Sequence, residues 1–146
     1  MRFSILLSAF LLVACRREEE PSAANQVASP APAAGSSIST YAGQGRDRLC
    51  LDEQSRRAGL ITYGQGDSNC SVRGGLQRSG ERLTIVPDGE QACRVDATLR
   101  AGQVTLGALR PECSYYCGPT ADLSGRTFRI AEGASPATDL AGEPLC

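Results

Sequence analysis

Cys70-Ser71-Val72-Arg73-Gly74-Gly75-Leu76-Gln77-Arg78-Ser79-Gly80-Glu81-Arg82-Leu83-Thr84-Ile85 decides the fold class. Side chains along a strand alternate between two faces. A turn at Ser79-Gly80 pairs Leu76 with Leu83 and Gly74 with Ile85, and Val72 and Cys70 continue the same face. Arg73, Gln77, Arg82 and Thr84 fall on the other face. A second stretch repeats the arrangement. A turn at Ala101-Gly102 pairs Leu99 with Val104 and Ala97 with Leu106, with Val95 and Cys93 on that side. Arg94, Asp96, Thr98 and Arg100 lie opposite. Apolar residues and a cysteine on one side, polar residues on the other, describe an antiparallel sheet buried on one face.

Further short strands are expected at residues 49–52, 60–63 and 123–130. Pro87-Asp88-Gly89 supplies turn chemistry, because Pro fixes φ and Gly accepts φ > 0. No stretch of adequate length carries a 3.6-residue period. The expected fold is therefore all-β: an antiparallel meander of about seven or eight strands, forming a small barrel or a sandwich. The β-domain spans residues 38–130, followed by a tail over residues 131–146. Two segments echo each other: Tyr41-Ala42-Gly43-Gln44-Gly45 and Tyr63-Gly64-Gln65-Gly66 each lead to a cysteine. Neither fits a phosphate-binding G-x-G-x-x-G before a helix, so both read as loop glycines.

The core is thin. Residues 38–146 hold 20 Leu, Ile, Val and Phe among 109 positions, which leaves little apolar area to offset the entropy of folding. The same segment holds Cys50, Cys70, Cys93, Cys113, Cys117 and Cys146. An even number of cysteines in a small, core-poor domain reads as three disulfides. Six cysteines allow 15 connectivities. Equal spacings of 20 residues suggest Cys50–Cys70 and Cys93–Cys113, leaving Cys117–Cys146 to pin the tail. Paired C-x2-C knuckles are absent and Cys113 and Cys117 are spaced C-x3-C, so neither a zinc cluster nor a thioredoxin-like redox pair is indicated.

Composition narrows the chemistry. The chain has no His, no Lys and no Trp, and its 15 basic residues are all Arg. No Ser-His or Cys-His pair, no Schiff-base lysine and no histidine-ligated zinc centre can be assembled. No cofactor and no metal are expected, and the reading is non-enzymatic. Two carboxylates would still suffice for glycosidase chemistry, so a carboxylate-based hydrolase is kept as an alternative. A formal charge of −1 gives no basis for nucleic-acid binding.

The N-terminus carries an address. Arg2 precedes an apolar run over residues 3–13, which is of secretory length and too short to span a bilayer. Leu12-Val13-Ala14-Cys15 resembles the lipobox of bacterial lipoproteins. The resemblance implies a signal peptide over residues 1–14, cleavage before Cys15, and acylation of that cysteine. Several acyl chains hold a protein at a membrane far more firmly than one. Arg16 stands where an inner-membrane retention aspartate would be, so the resemblance implies the outer membrane, with the domain facing the periplasm. After Cys15, residues 16–37 are charged and then rich in Ala, Pro and Ser. Such a composition cannot bury enough apolar surface to fold and reads as a disordered tether of roughly 25 Å as a coil, or about 70 Å fully extended.

Candidate contact residues follow from chemistry alone. Tyr115 and Tyr116 lie between Cys113 and Cys117, a rigid aromatic presentation in which one tyrosine is expected in the core and the other exposed. Arg56 and Arg57 fall in an expected loop over residues 52–59 and suit an anionic partner. Arg and aromatic residues dominate interface hot spots. The expected function is an envelope lipoprotein presenting a β-domain to a protein or cell-wall glycan, with membrane contact through the acyl chains on Cys15. An alternative is a lysozyme-inhibitor-like periplasmic lipoprotein. Ser79-Gly80 and Ser124-Gly125 resemble the Ser-Gly loop of c-type lysozyme inhibitors, which are small disulfide-bearing barrels. The aromatic that follows that loop is displaced or missing, and the Trp of those barrels is absent.

Overall fold

A computed structural model describes residues 37–146 of the chain. The lipobox, Cys15 and nearly all of the tether lie outside the described residues. Eight antiparallel strands follow one another in sequence order and close into a barrel. They are β1 (Ile38–Ala42), β2 (Arg48–Asp52), β3 (Arg57–Tyr63), β4 (Asn69–Ser79), β5 (Arg82–Pro87), β6 (Val95–Arg100), β7 (Gln103–Leu106) and β8 (Thr127–Ile130). β8 returns to pair with β1, setting Tyr41 opposite Ile130. Closure leaves no free sheet edge for intermolecular pairing. Of the two architectures open from the sequence, the barrel is the one formed.

Alternation sets the interior. Tyr41, Leu49, Leu51, Leu60, Val72, Leu83, Ile85, Val104 and Phe128 form the buried cluster inside the barrel. The β6–β7 hairpin has the expected register, with Leu99 opposite Val104 and Ala97 opposite Leu106. Its loop residues Ala101 and Gly102 have φ of 46° and 73°, the pattern of a type I′ turn. The β4–β5 hairpin corrects the expected register by two residues. Leu76 faces Ile85, and Ser79 faces Arg82. The loop is therefore Gly80-Glu81, with Gly80 at φ 61° in the first position, where a type II′ turn needs glycine. A slip of two keeps every side chain on its own face, so the burial pattern is unchanged while the partners differ.

Two expected segments are shorter. Residues 123–126 form a turn closed by Arg126 N–H to the Leu123 carbonyl at 3.2 Å, and β8 begins only at Thr127. The loop expected over residues 52–59 shrinks to residues 53–56, because Arg57 already pairs with Asp52. The glycine echo is a structural repeat. Gly43 N–H bonds the Asp47 carbonyl and Asp47 N–H bonds Gln44; Gly64 N–H bonds the Ser68 carbonyl and Ser68 N–H bonds Gln65. One turn design serves both the β1–β2 and β3–β4 connections.

Three disulfides join Cys50–Cys146, Cys70–Cys117 and Cys93–Cys113. The expected pairs Cys50–Cys70 and Cys117–Cys146 are corrected. Leu49 and Leu51 point inward from β2, so Cys50 points outward, whereas Cys70 shares the inner face with Val72. The barrel wall separates them. Cys70 instead meets Cys117 in the long β7–β8 connection. Cys50 captures Cys146, which fastens residues 131–146 as a strap over the outside of β2 and β3. Beneath the strap, Ile61, Ala137, Leu145 and Cys50 form a second small core. In the chain-entropy account the three closures of 96, 47 and 20 residues contribute about 5, 4 and 3 kcal/mol. Those contributions reinforce a core that the composition leaves thin.

Candidate binding surface

The long β7–β8 connection, residues 107–126, folds back over one end of the barrel. It contains a short 3-10 helix, Pro111–Tyr116, started by a proline in its first turn. Cys113 within that helix joins Cys93, and Cys117 just after it joins Cys70. The helix is thus clamped at two points four residues apart. Between the clamps, Tyr115 is 90% exposed, while Tyr116 packs partly against the core. Their rings meet edge to face with centroids 5.6 Å apart. The expected split of one exposed and one packed tyrosine is present, and a 3-10 helix produces it.

Strand stagger brings Arg56 and Arg57 level with the end of β5. β4 runs eleven residues, and the β2–β3 turn reaches only its middle, where Arg57 faces Gly75 and Gly75 faces Val86. Leu76 N–H bonds the Arg56 carbonyl at 2.8 Å. From that level the Arg57 guanidinium grips Asp88 with two hydrogen bonds, at 2.8 and 2.5 Å. The bond from Arg57 holds the Asp88 carboxyl below its ordinary pKa, and the same bond raises Arg57. Burial, followed by the nearby carboxylates Glu90 and Asp88, raises the Tyr116 phenol. Asp88 is thus held by Arg57 and adds to the negative field at the Tyr116 phenol. Both partners are solvent-accessible, and an exposed pair of this kind is worth at most about 1 kcal/mol. Its role is positional.

Arg56 and Arg57 line a shallow hollow of about 380 Å³ with Gly75 and Gln77. A Cβ on Gly75 would meet nothing within 4 Å, so the glycine itself opens the hollow. Arg56 adopts φ 54°, a left-handed conformation uncommon outside glycine and asparagine. Its side chain is exposed, whereas that of Arg57 is committed to Asp88. The four candidate residues thus separate into two exposed groups, Arg56 and Tyr115, and two held groups, Arg57 and Tyr116.

One feature was not legible in the sequence. Asp47, almost fully buried, accepts the Tyr63 N–H at 2.9 Å and an Arg126 guanidinium N–H at 3.1 Å. Arg126 also donates to the Tyr63 carbonyl and to that of Asp122. This network ties the β1–β2 turn to the β7–β8 connection across 79 residues of sequence. A charge so satisfied is a structural lock, and only the three-dimensional fold brings its members together. Among the described residues no three or more Cys, Asp or Glu side chains converge as a metal site. Compared with known proteins, the chain matches no protein-family model, no curated protein and no solved structure.

Proposed function

We propose that the chain is a lipid-anchored envelope protein whose barrel acts by binding a protein or cell-wall component. The observation that carries this reading is Tyr115: a large aromatic side chain, exposed and held between two disulfides. A rigid aromatic loses little entropy on binding, and such residues supply much of the energy of known interfaces. Ile38 enters the barrel at the end that carries the short hairpins. The helix bearing Tyr115 belongs to the opposite set of connections. Carboxylates that a hydrolase would need free are engaged with arginines, as with Asp47, Asp88 and Asp96.

Photo-crosslinking from position 114, beside Tyr115, of the full chain in a native envelope tests the reading. A discrete crosslinked partner, lost in Tyr115→Ala with Arg56→Ala while the melting temperature holds, is the expected result. Turnover of a cell-wall substrate, abolished by changing one Asp or Glu, would overturn it. The lysozyme-inhibitor reading rests on the β4–β5 tip, where Ser79, Gly80 and Glu81 are all exposed. Inhibition of a c-type lysozyme that is lost with Gly80→Trp would favour it instead.

A further inference from the structure

Where the strap crosses β2 and β3, a hollow of about 180 Å³ opens between barrel and tail. Arg46 and Arg48 line it, together with Ile61, Tyr63, Ser135 and Thr138. Both guanidinium groups are held in place without a carboxylate. Arg46 lies over the Tyr63 ring, 4.0 Å from its centroid. Arg48 donates from one terminal nitrogen to the Gly45 and Asp47 carbonyls, at 3.2 and 2.8 Å. Its Nε is buried and has no hydrogen-bond partner. The nearest acids in sequence are turned elsewhere. Asp47 serves Arg126 and Tyr63 N–H, and Asp139 accepts the N–H groups of Ala141 and Glu143 in its own turn.

Other arginine-lined hollows on the barrel differ in how their cations are engaged. The hollow beside β5 and β6 sets Arg82 against Asp96. In the hollow beside Arg56, Arg57 is neutralised by Asp88. A further hollow holds Arg100 and Arg129, with Arg100 bridged to Glu81; among these hollows the strap seam alone presents two arginines neither of which is paired with a carboxylate. Fixed guanidinium planes recognise planar oxyanions well, since little rotamer freedom is lost on binding. The volume is below the roughly 300 Å³ of pockets that enclose whole ligands, so it suits the charged end of a larger molecule. Two hydroxyls and the apolar flank of Ile61 beside the cations match a polyhydroxyl ring better than a bare anion.

We propose that this seam binds the carboxylate of a sugar acid, with Arg46 and Arg48 as its cationic contacts and Ser135 and Thr138 facing the ring hydroxyls. The inference rests on the reading of the chain as an envelope binding protein and places a second contact on the flank of the barrel. The strap supplies one wall, so the site exists only while Cys50–Cys146 holds the strap down.

Saturation-transfer NMR on the full chain in detergent tests it, with N-acetylmuramic acid, N-acetylglucosamine and inorganic phosphate as probes. The two sugars differ by the lactyl carboxylate. N-acetylmuramic acid should bind with a dissociation constant on the order of 1 mM, and N-acetylglucosamine about tenfold more weakly. Arg46→Gln and Arg48→Gln should each weaken binding about tenfold, and Arg82→Gln should leave it unchanged. Arg46 is exposed, so its replacement reads the site even if Arg48→Gln disturbs the fold. Equal transfer to both sugars, no transfer to either, or phosphate binding as tightly as the acid sugar would overturn the proposal. Failure here with a Tyr115-dependent partner intact removes the seam site and leaves the binding reading standing. Failure of both removes both.

Discussion

Gly59 lies on the outer face of β3, between Cys50 on β2 and Arg73 on β4. A Cβ built there would sit 2.4 Å from the Leu145 Cβ and 2.4 Å from the Leu145 carbonyl oxygen. Backbone atoms cannot rotate aside, so in Gly59→Ala either β3 or the strap must move. The strap is the weaker element, being held by one small core and one disulfide. Lifting it exposes Leu145, Ala137 and the outer side of Ile61, all now nearly inaccessible. Burial of one Leu and one Ile is worth about 2 kcal/mol each, and the Ala methyl adds about 0.8 kcal/mol. Freed strap residues regain chain entropy, which offsets part of the roughly 5 kcal/mol. The expected net loss is about 2–3 kcal/mol, a fall in melting temperature of roughly 10 °C for a domain of this size. Gly75→Ala is the control: its Cβ meets nothing within 4 Å, and the change should lie within about 0.5 kcal/mol of the parent. Thermal melts of the oxidised protein measure the loss of stability. Hydrogen exchange at the Leu145 N–H, which bonds the Ala137 carbonyl at 3.0 Å, reports whether the strap has been displaced. If Gly59→Ala melts with the parent and Leu145 stays protected, or if the two alanines behave alike, the account of the strap is wrong.

Non-reducing peptide mapping should recover the links Cys50–Cys146, Cys70–Cys117 and Cys93–Cys113; a Cys50–Cys70 peptide would contradict the two-faced placement of those residues. Leu83→Asp or Val104→Asp should cost several kcal/mol by placing an unpaired charge in the barrel, whereas Thr98→Asp, opposite Arg82, should change the melting temperature little. Thr84→Asp is expected to hurt more than Thr98→Asp, because Thr84 donates to Asp96 at 3.0 Å and the new carboxylate would face that acid directly. Hydrogen bonds from the Ser55 and Ser37 hydroxyls, and from the Ser55 N–H, hold Asp52 down to a pKa of about 2. Its contribution is present above the unfolded value near 4 and is lost as pH falls toward 2; Asp52→Asn should flatten the stability-versus-pH curve in that window. Ala101→Asn should raise the melting temperature, because Ala101 sits at φ 46° where asparagine is better tolerated.

Local pattern carried much of the fold. The alternation in β4 to β7 determined the all-β class and the buried faces, because a strand's period of two is independent of what lies across from it. The same rule, applied to Leu49-Cys50-Leu51, places Cys50 outside and already excludes Cys50–Cys70; equal spacing was the weaker guide, since loop length scarcely constrains pairing. Register by turn position succeeded at Ala101-Gly102 and slipped by two at Gly80, where either neighbouring residue could complete a two-residue loop and both choices bury the same side chains. Tertiary structure alone decided the rest. Closure of β8 onto β1, the strap over Gly59, the Asp47–Arg126 lock and the meeting of Arg46 and Arg48 with Thr138 all join residues far apart in the chain. Such contacts depend on strand stagger and on which surface the tail covers. No local propensity encodes either.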